Sequence, residues 1–323
     1  MNQSDTHGGV VALAGGVGGA KLAQGLYRVL PPDSLTVVVN TGDDFDHFGL
    51  RVCPDADTVM YTLAGLANPA TGWGVVADTF QALALLSRYG EATWFQIGDR
   101  DFATHLARTR RLRAGESLSA ILESLTRALG VRARLLPMAD QPVATLVDTP
   151  VGVLEFQEYF VHRHHADEVR GIVLQGIEEA RMPAALPAIV LQASAIILCP
   201  SNPIVSIGPV LAVPGLRDAL REARVPRVAV SPIVGGKALR GPADRMLAGL
   251  GHEVSAYGVA ELYRDFLDGL VIDRADADLS SRVEGLGVRV LVTDTLMTDD
   301  ESRARLAAET LDFCSQLLAG VRR

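Results

Sequence analysis

The sequence predicts an α/β protein: a Rossmann-like, mostly parallel sheet flanked by helices, with a smaller inserted α+β region. Three observations predict it. Short apolar runs alternate with stretches of helical periodicity along the chain. The first two runs are joined by a Gly-rich turn and a helix-length segment within about thirty residues, the βαβ unit of a parallel sheet. Polar motifs stand just after the runs, where open α/β sheets bind ligands.

Val10 to Ala14 is the first strand. A Gly-rich turn follows, then apolar residues at helical spacing from Ala20 to Leu30, stopped by Pro31-Pro32. Leu35 to Val39 is the second strand and runs into Asn40. A helical region covers Phe80 to Leu129. From Ala133 to Phe160 shorter extended runs are broken by Pro137, Asp140, Pro142, Asp148 and Pro150. Ala195 to Leu198, Arg227 to Val230 and Val288 to Val292 read as further strands. Gly235-Gly236-Lys237 opens an apolar periodic stretch through Leu250, and Ser302 to Leu318 reads as a final amphipathic helix. No repeat or low-complexity linker divides the chain. It reads as one unit, with a Rossmann-like core at about 9–70 and 185–323 and an inserted or lid region at about 75–180.

Composition narrows the function. The chain has 323 residues, 48% of them hydrophobic and 5% aromatic, so its core rests on aliphatic side chains. A formal charge of −8 argues against a general nucleic-acid binder, which needs a basic stripe. No apolar run reaches the roughly 18 residues that cross a bilayer. Met1 to Gly8 is polar, with no signal-peptide core. Cys53, Cys199 and Cys314 lack metal spacing and read as reduced thiols of a cytoplasmic protein.

Five motifs carry candidate chemistry. Gly15, Gly16, Val17, Gly18, Gly19 and Lys21 lie between a strand and a helix. Glycines admit a phosphate close to the backbone, and the helix start supplies free N–H groups. Lys21 stands where a dinucleotide fingerprint needs its third glycine, and Asn40 replaces the usual ribose-binding acid, which weakens an NAD-dependent oxidoreductase. Asp43, Asp44, Asp55 and Asp57 form an acidic group after the second strand. Asp43, Asp44 and Asp57 are the candidate Mg²⁺ ligands, while Asp55 also suits a helix start. Trp73, between Gly72 and Gly74, offers a face on which a planar ring can stack. Gly98-Asp99-Arg100-Asp101 precedes a helix, on which His105 falls four residues after Asp101 and can pair with it. Ser201 and Asn202, then Ser231, Gly235, Gly236 and Lys237, supply groups for a base, a ribose or a second phosphate. His162, His164 and His165 read as a solvated surface run.

The ordered set of motifs resembles the 2-phospho-L-lactate transferase family of coenzyme F420 biosynthesis. The matching pieces are AGGVGGAKL (Ala14 to Leu22), NTGDD (Asn40 to Asp44), CPDADTVMYTLAG (Cys53 to Gly65), GWG (Gly72 to Gly74), GDRDFATHL (Gly98 to Leu106), FQEYFV (Phe156 to Val161), PSNPIVSIGP (Pro200 to Pro209), SPIVGGKALRGPADRML (Ser231 to Leu247) and TDTLM (Thr293 to Met297). The resemblance implies a Mg²⁺-dependent, GMP-releasing transfer. The donor is a guanosine-diphospho acid carrying phospholactate, phosphoenolpyruvate or phosphoglycerate; the acceptor is the ribityl hydroxyl of the deazaflavin FO. Asp57 and Asp44 are then catalytic, and Asp57, Trp73, Asp99 and Arg100 hold FO. Asp57 either places the metal or takes the hydroxyl proton. The resemblance names no nucleic-acid or membrane partner and leaves a homodimer open. The alternative is a non-enzymatic, nucleotide-sugar-binding regulatory protein with a similar Gly-rich start.

Overall fold

Strand β1 (Val10–Ala14) is apolar throughout, and every residue of it is buried, because helices cover both faces of the sheet. The computed structural model describes residues 8–321. β1 pairs in parallel with β2 (Leu35–Val39) in the register Val10↔Leu35, and with β4 (Ala195–Leu198) in the register Val10↔Ala195. The edge beyond β2 is β3 (Arg134–Pro137); beyond β4 come β5 (Arg227–Val230), β6 (Gly269–Asp273) and β7 (Arg289–Thr293). All seven strands are parallel, in the order β7-β6-β5-β4-β1-β2-β3. This is the doubly wound arrangement, with its switch point between β1 and β4.

The period-two alternation divides the core in two. Val11, Leu13, Val38, Ile196, Leu198 and Leu270 point to one layer. Val10, Ala12, Val37, Val39, Ile197 and Val271 point to the other, under α1 (Gly16–Val29), α2 (Pro54–Leu63) and the C-terminal helix (Asp300–Val321). Gly25 of α1 lies against the backbone of Arg303, so these two helices meet without a side chain between them.

Three readings of the sequence differ from the structure. β3 falls inside the stretch 75–180 set apart as an insert, yet it is the main sheet's edge strand. That stretch otherwise holds the helix Gln81–Arg88, α3 (Asp99–Arg113), the helix Leu118–Ala128 and a three-stranded antiparallel sheet centred on Ala144–Thr149. β6 was not read as a strand. Gly235-Gly236-Lys237 does not open a helix. Gly235 (φ 57°) and Gly236 (φ 76°) form the turn of a short hairpin, Ile233–Val234 with Lys237–Ala238, and the following helix begins only at Ala243. Among the described residues no helix is long and apolar enough to cross a membrane.

Candidate active site

The site grows from the switch point. Gly15 caps α1, and Gly16 (φ 59°) takes a left-handed conformation open to glycine. A β-carbon on Gly18 would overlap the Pro200 carbonyl, so α1 starts hard against the loop after β4. Ser201 fastens the two loops: its Oγ accepts the Gly15 N–H (3.0 Å) and donates to the Gly15 carbonyl (2.8 Å). The first turn of α1, whose N–H groups lack intrahelical partners, therefore faces a cavity of about 1040 Å³. Gly15, Gly16, Val17, Gly18, Lys21, Ser201, Asn202 and Ser231 line it. Gly19 turns inward toward Ser201.

Beside α1 sits a pair of buried carboxylates. Asn40 at the end of β2 donates Nδ2 to both Asp43 Oδ1 (2.9 Å) and Asp55 Oδ2 (3.0 Å). Asp55 Oδ1 accepts the Gly16 N–H at 2.6 Å, and Gln157 Nε2 donates to Asp43 Oδ2 at 3.3 Å. Burial, then the charges of Asp55 and Asp44, pushes the Asp43 carboxyl well above the usual range. Burial raises Asp55 to about 6. Asp44 is buried with no hydrogen-bond partner on either oxygen; burial raises it to about 7, and Arg51 Nε is 4.0 Å away. Asp43, Asp55 and Asp57 line the cavity, whereas Asp44 stands behind its wall.

Asp57 lies further along α2 and is already paired. Arg108, fully buried on α3, holds both its oxygens, one through Nη1 at 3.0 Å and the other through Nη2. His105 Nδ1 is 3.5 Å from Asp57, and its Nε2 is 3.3 Å from Asp101, the pairing expected from the sequence. Tyr61 donates to Asp101 at 2.8 Å. Asp101, His105 and Arg108 recur at i, i+4 and i+7, so α3 turns one polar stripe toward α2. That spacing was the available signal for Asp101 and Arg108, which the sequence reading did not single out as site residues. Asp57, Asp101 and His105 offer ligand atoms within 4.8 Å of one another.

The other expected residues divide. Trp73 is on the cavity rim, 43% exposed. Asp99 does not line the cavity; its carboxylate takes the Thr79 hydroxyl and the N–H groups of Gln81 (3.1 Å) and Ala82 (3.0 Å), capping the helix Gln81–Arg88. Arg100 is exposed and also lies off the cavity wall, its N–H donating to Asp78 at 2.9 Å. Gly235, Gly236 and Lys237 are exposed and do not line the cavity; the Gly235 N–H goes to Asp276 (3.1 Å), and the wall is built by Leu239 to Ala243 just beyond. His164 and His165 line the cavity instead of forming a solvated run, and His162 stacks on Trp94 with centroids 5.3 Å apart. Trp94, Phe95, Phe156 and Phe160 complete an aromatic wall, with Phe156 and Phe160 stacked at 5.4 Å. Trp94 and Phe95 lie in an irregular segment without periodicity, so the sequence did not single them out; Phe156 and Phe160, four residues apart on a helical turn, lie within the FQEYFV motif, but no site role was read for them.

A doubly wound sheet, a glycine loop at its switch point and an acid-lined cavity there together define an α/β protein with its cavity at the strand ends. The chain belongs to the 2-phospho-L-lactate transferase CofD family, transferases of coenzyme F420 biosynthesis, whose model matches residues 10–306. It is 44% identical over 316 residues to the phosphoenolpyruvate transferase of Streptomyces griseus, covering 96% of this chain and 99% of that protein. It is 39% identical over 298 residues to the 2-phospho-L-lactate transferase of Methanosarcina barkeri, covering 92% and 96%. Its fold is also that of a UPF0052-family protein from Bacillus halodurans, with a TM-score of 0.64, 14% identity, and 95% of this chain and 99% of that chain covered.

Proposed function

We propose that this protein is a cytoplasmic, Mg²⁺-dependent enzyme. It transfers a phosphorylated three-carbon acid from a guanosine-diphospho donor to the ribityl hydroxyl of the deazaflavin FO and releases GMP. The observation that carries the reading is the carboxylate pair Asp43 and Asp55, buried beside the amide-rich start of α1. A diphosphate over α1 meets those acids at close range, and two desolvated like charges beside an anion are unfavourable without a cation. Carboxylate oxygens with a ligand phosphate are the donor set of Mg²⁺, so the residues fit the ion. Asp43 and Asp55 are better placed to hold it than Asp57, whose charge Arg108 already balances.

Bound there, Mg²⁺ would neutralise charge on the diphosphate. The N–H groups of α1 hold the phosphates, and the loops after β4 and β5 flank the nucleoside. The aromatic wall takes the flat deazaflavin by stacking. The acceptor oxygen bonds to the phosphorus bearing the acid, the bond from that phosphorus to the bridging oxygen breaks, and GMP leaves with that oxygen. The hydroxyl proton passes to a carboxylate of the wall; Asp57, fixed by Arg108, faces the cavity for that task. Alignment and charge neutralisation suffice, and no covalent intermediate is needed.

Relatives named for phosphoenolpyruvate match at 43–44% identity, and those named for 2-phospho-L-lactate at 39–40%. The phosphoenolpyruvyl donor is therefore the expected one. Purified protein with Mg²⁺, FO and each of the three donors should release GMP and form a charged deazaflavin, fastest with the phosphoenolpyruvyl donor. Tight nucleotide binding without GMP from any donor would falsify the transferase reading in favour of a regulatory binding protein.

A further inference from the structure

Two cations face the cavity with their charge unspent. Lys21, on α1, donates Nζ to the Met297 carbonyl at 2.8 Å, and Arg240 donates Nη1 to the Thr71 carbonyl at 2.6 Å. Both partners are neutral. The two cations feel each other: burial first, then Arg303 and Arg240, holds the Lys21 ammonium below its usual range.

Arg240 is also held in place. It comes from the loop after the Gly235–Gly236 hairpin and crosses to the Thr71–Gly74 loop. There Gly72 (φ 83°) has room for no side chain. Its β-carbon would stand 2.6 Å from Val17 Cγ1 and 3.0 Å from Arg240 Nη1. Two loops thus meet at one guanidinium, which spends one of its five donors on Thr71 and keeps the rest.

The transferase reading, on which this inference rests, brings two kinds of anion into the cavity. The α1 amides, with an ion that Asp43 and Asp55 would hold, would satisfy the diphosphate. The carboxylate of the three-carbon acid needs its own partner, and a planar guanidinium matches a carboxylate in geometry as well as charge. We propose that Arg240, with Lys21 beside it, recognises the carboxylate of the donor's transferred acid. That carboxylate is common to phospholactate, phosphoenolpyruvate and phosphoglycerate. Arg240 therefore sets the class of donor, while the choice among the three falls to the contacts around the neighbouring carbon.

The test compares calorimetric affinities, with Mg²⁺ and without FO, for GDP, for the guanosine-diphospho acid and for its carboxamide counterpart. Wild-type protein should bind the acid about 10- to 100-fold more tightly than the amide, the range of one charge-assisted contact. Arg240→Gln should erase that preference and leave GDP affinity within about twofold, and Arg240→Lys should restore part of it. GDP affinity doubles as a check on folding for this exposed loop position. A preference that survives in Arg240→Gln overturns the proposal, and so does an equal loss for GDP, which would put Arg240 on the diphosphate. Both outcomes leave the transferase reading intact. Failure of that reading is separate: wild-type protein that makes no GMP when FO is added to the acid donor overturns both.

Discussion

Arg108 is among the largest side chains with no exposure to solvent, and its charge is balanced by one carboxylate. Removing one partner of a buried ion pair leaves the other uncompensated, at a cost of about 3–5 kcal/mol; replacing both by apolar groups is often neutral. Arg108→Met should therefore lower the unfolding free energy by about 3–5 kcal/mol in urea titrations. Adding Asp57→Leu should recover most of that loss. A double variant no more stable than Arg108→Met would show that the pair is not what Arg108 supports. The acids themselves were legible in the sequence, but their partners were not. Asp43, Asp44, Asp55 and Asp57 are equivalent letters within a short stretch. Only the fold shows that Asn40 bridges Asp43 to Asp55, that Arg108 claims Asp57 and that Asp44 stands behind the wall. Likewise the Gly98 to Asp101 motif was found, but helical phase sends Asp101 to the site and Asp99 to a cap.

At the scale of elements, the contact between α1 and the C-terminal helix makes an unusual demand. Alanine in a helix interior ordinarily gains about 0.5–1 kcal/mol over glycine. At Gly25 the added β-carbon meets the Arg303 carbonyl, a backbone atom that cannot rotate away, and overpacking costs about 1–3 kcal/mol. Gly25→Ala should lower the melting temperature, whereas Gly320→Ala in the C-terminal helix, where the new methyl meets nothing within 4 Å, should leave it unchanged or raise it. A Gly25→Ala protein as stable as wild type would mean the helices separate freely. Elements bounded by strong punctuation were read with their true ends: β1 stops at the Gly-rich turn, β2 at Asn40, β4 before Cys199-Pro200 and β5 before Ser231-Pro232. β6 was missed because Phe266 and Leu267 extend its apolar run backward past Asp268 and blur its start. The Gly235-Gly236 hairpin was misread because the letters Gly-Gly-Lys resemble the α1 loop, while the two left-handed glycines dictate a turn.

For the whole molecule, the buried carboxyls tie stability to pH. Asp55 at about 6, Asp44 at about 7 and Asp43, which burial also pushes upward, all lie above the unfolded carboxyl value near 3.9. Between those limits the native state holds more protons than the unfolded chain, so stability declines as pH rises through the window. From these groups the metal-free protein should lose stability between about pH 4 and 7. Below that window the carboxyls are protonated and have little attraction for a cation; above it Asp55 is charged beside Asp43, and a cation there favours the charged form of both. Mg²⁺ should therefore raise the melting temperature at pH 8 and do little at pH 5, as differential scanning calorimetry can measure. Equal shifts at both pH values would remove Asp43 and Asp55 from the ion site.

The sheet order also has a consequence in time. The hydrogen bond that fastens Gly15 to Ser201 joins residues 186 apart in the chain, and β4 is the neighbour that covers one edge of β1. At roughly 5–20 residues per second of synthesis, β1 waits about 10–40 s for that partner to leave the ribosome. During that interval the bare edge of Val10–Ala14 is open to wrong partners, and the glycine loop has nothing to be fastened to. The nascent protein therefore has no half-formed glycine-loop site to offer, and chaperone protection is needed most before residue 201 has emerged.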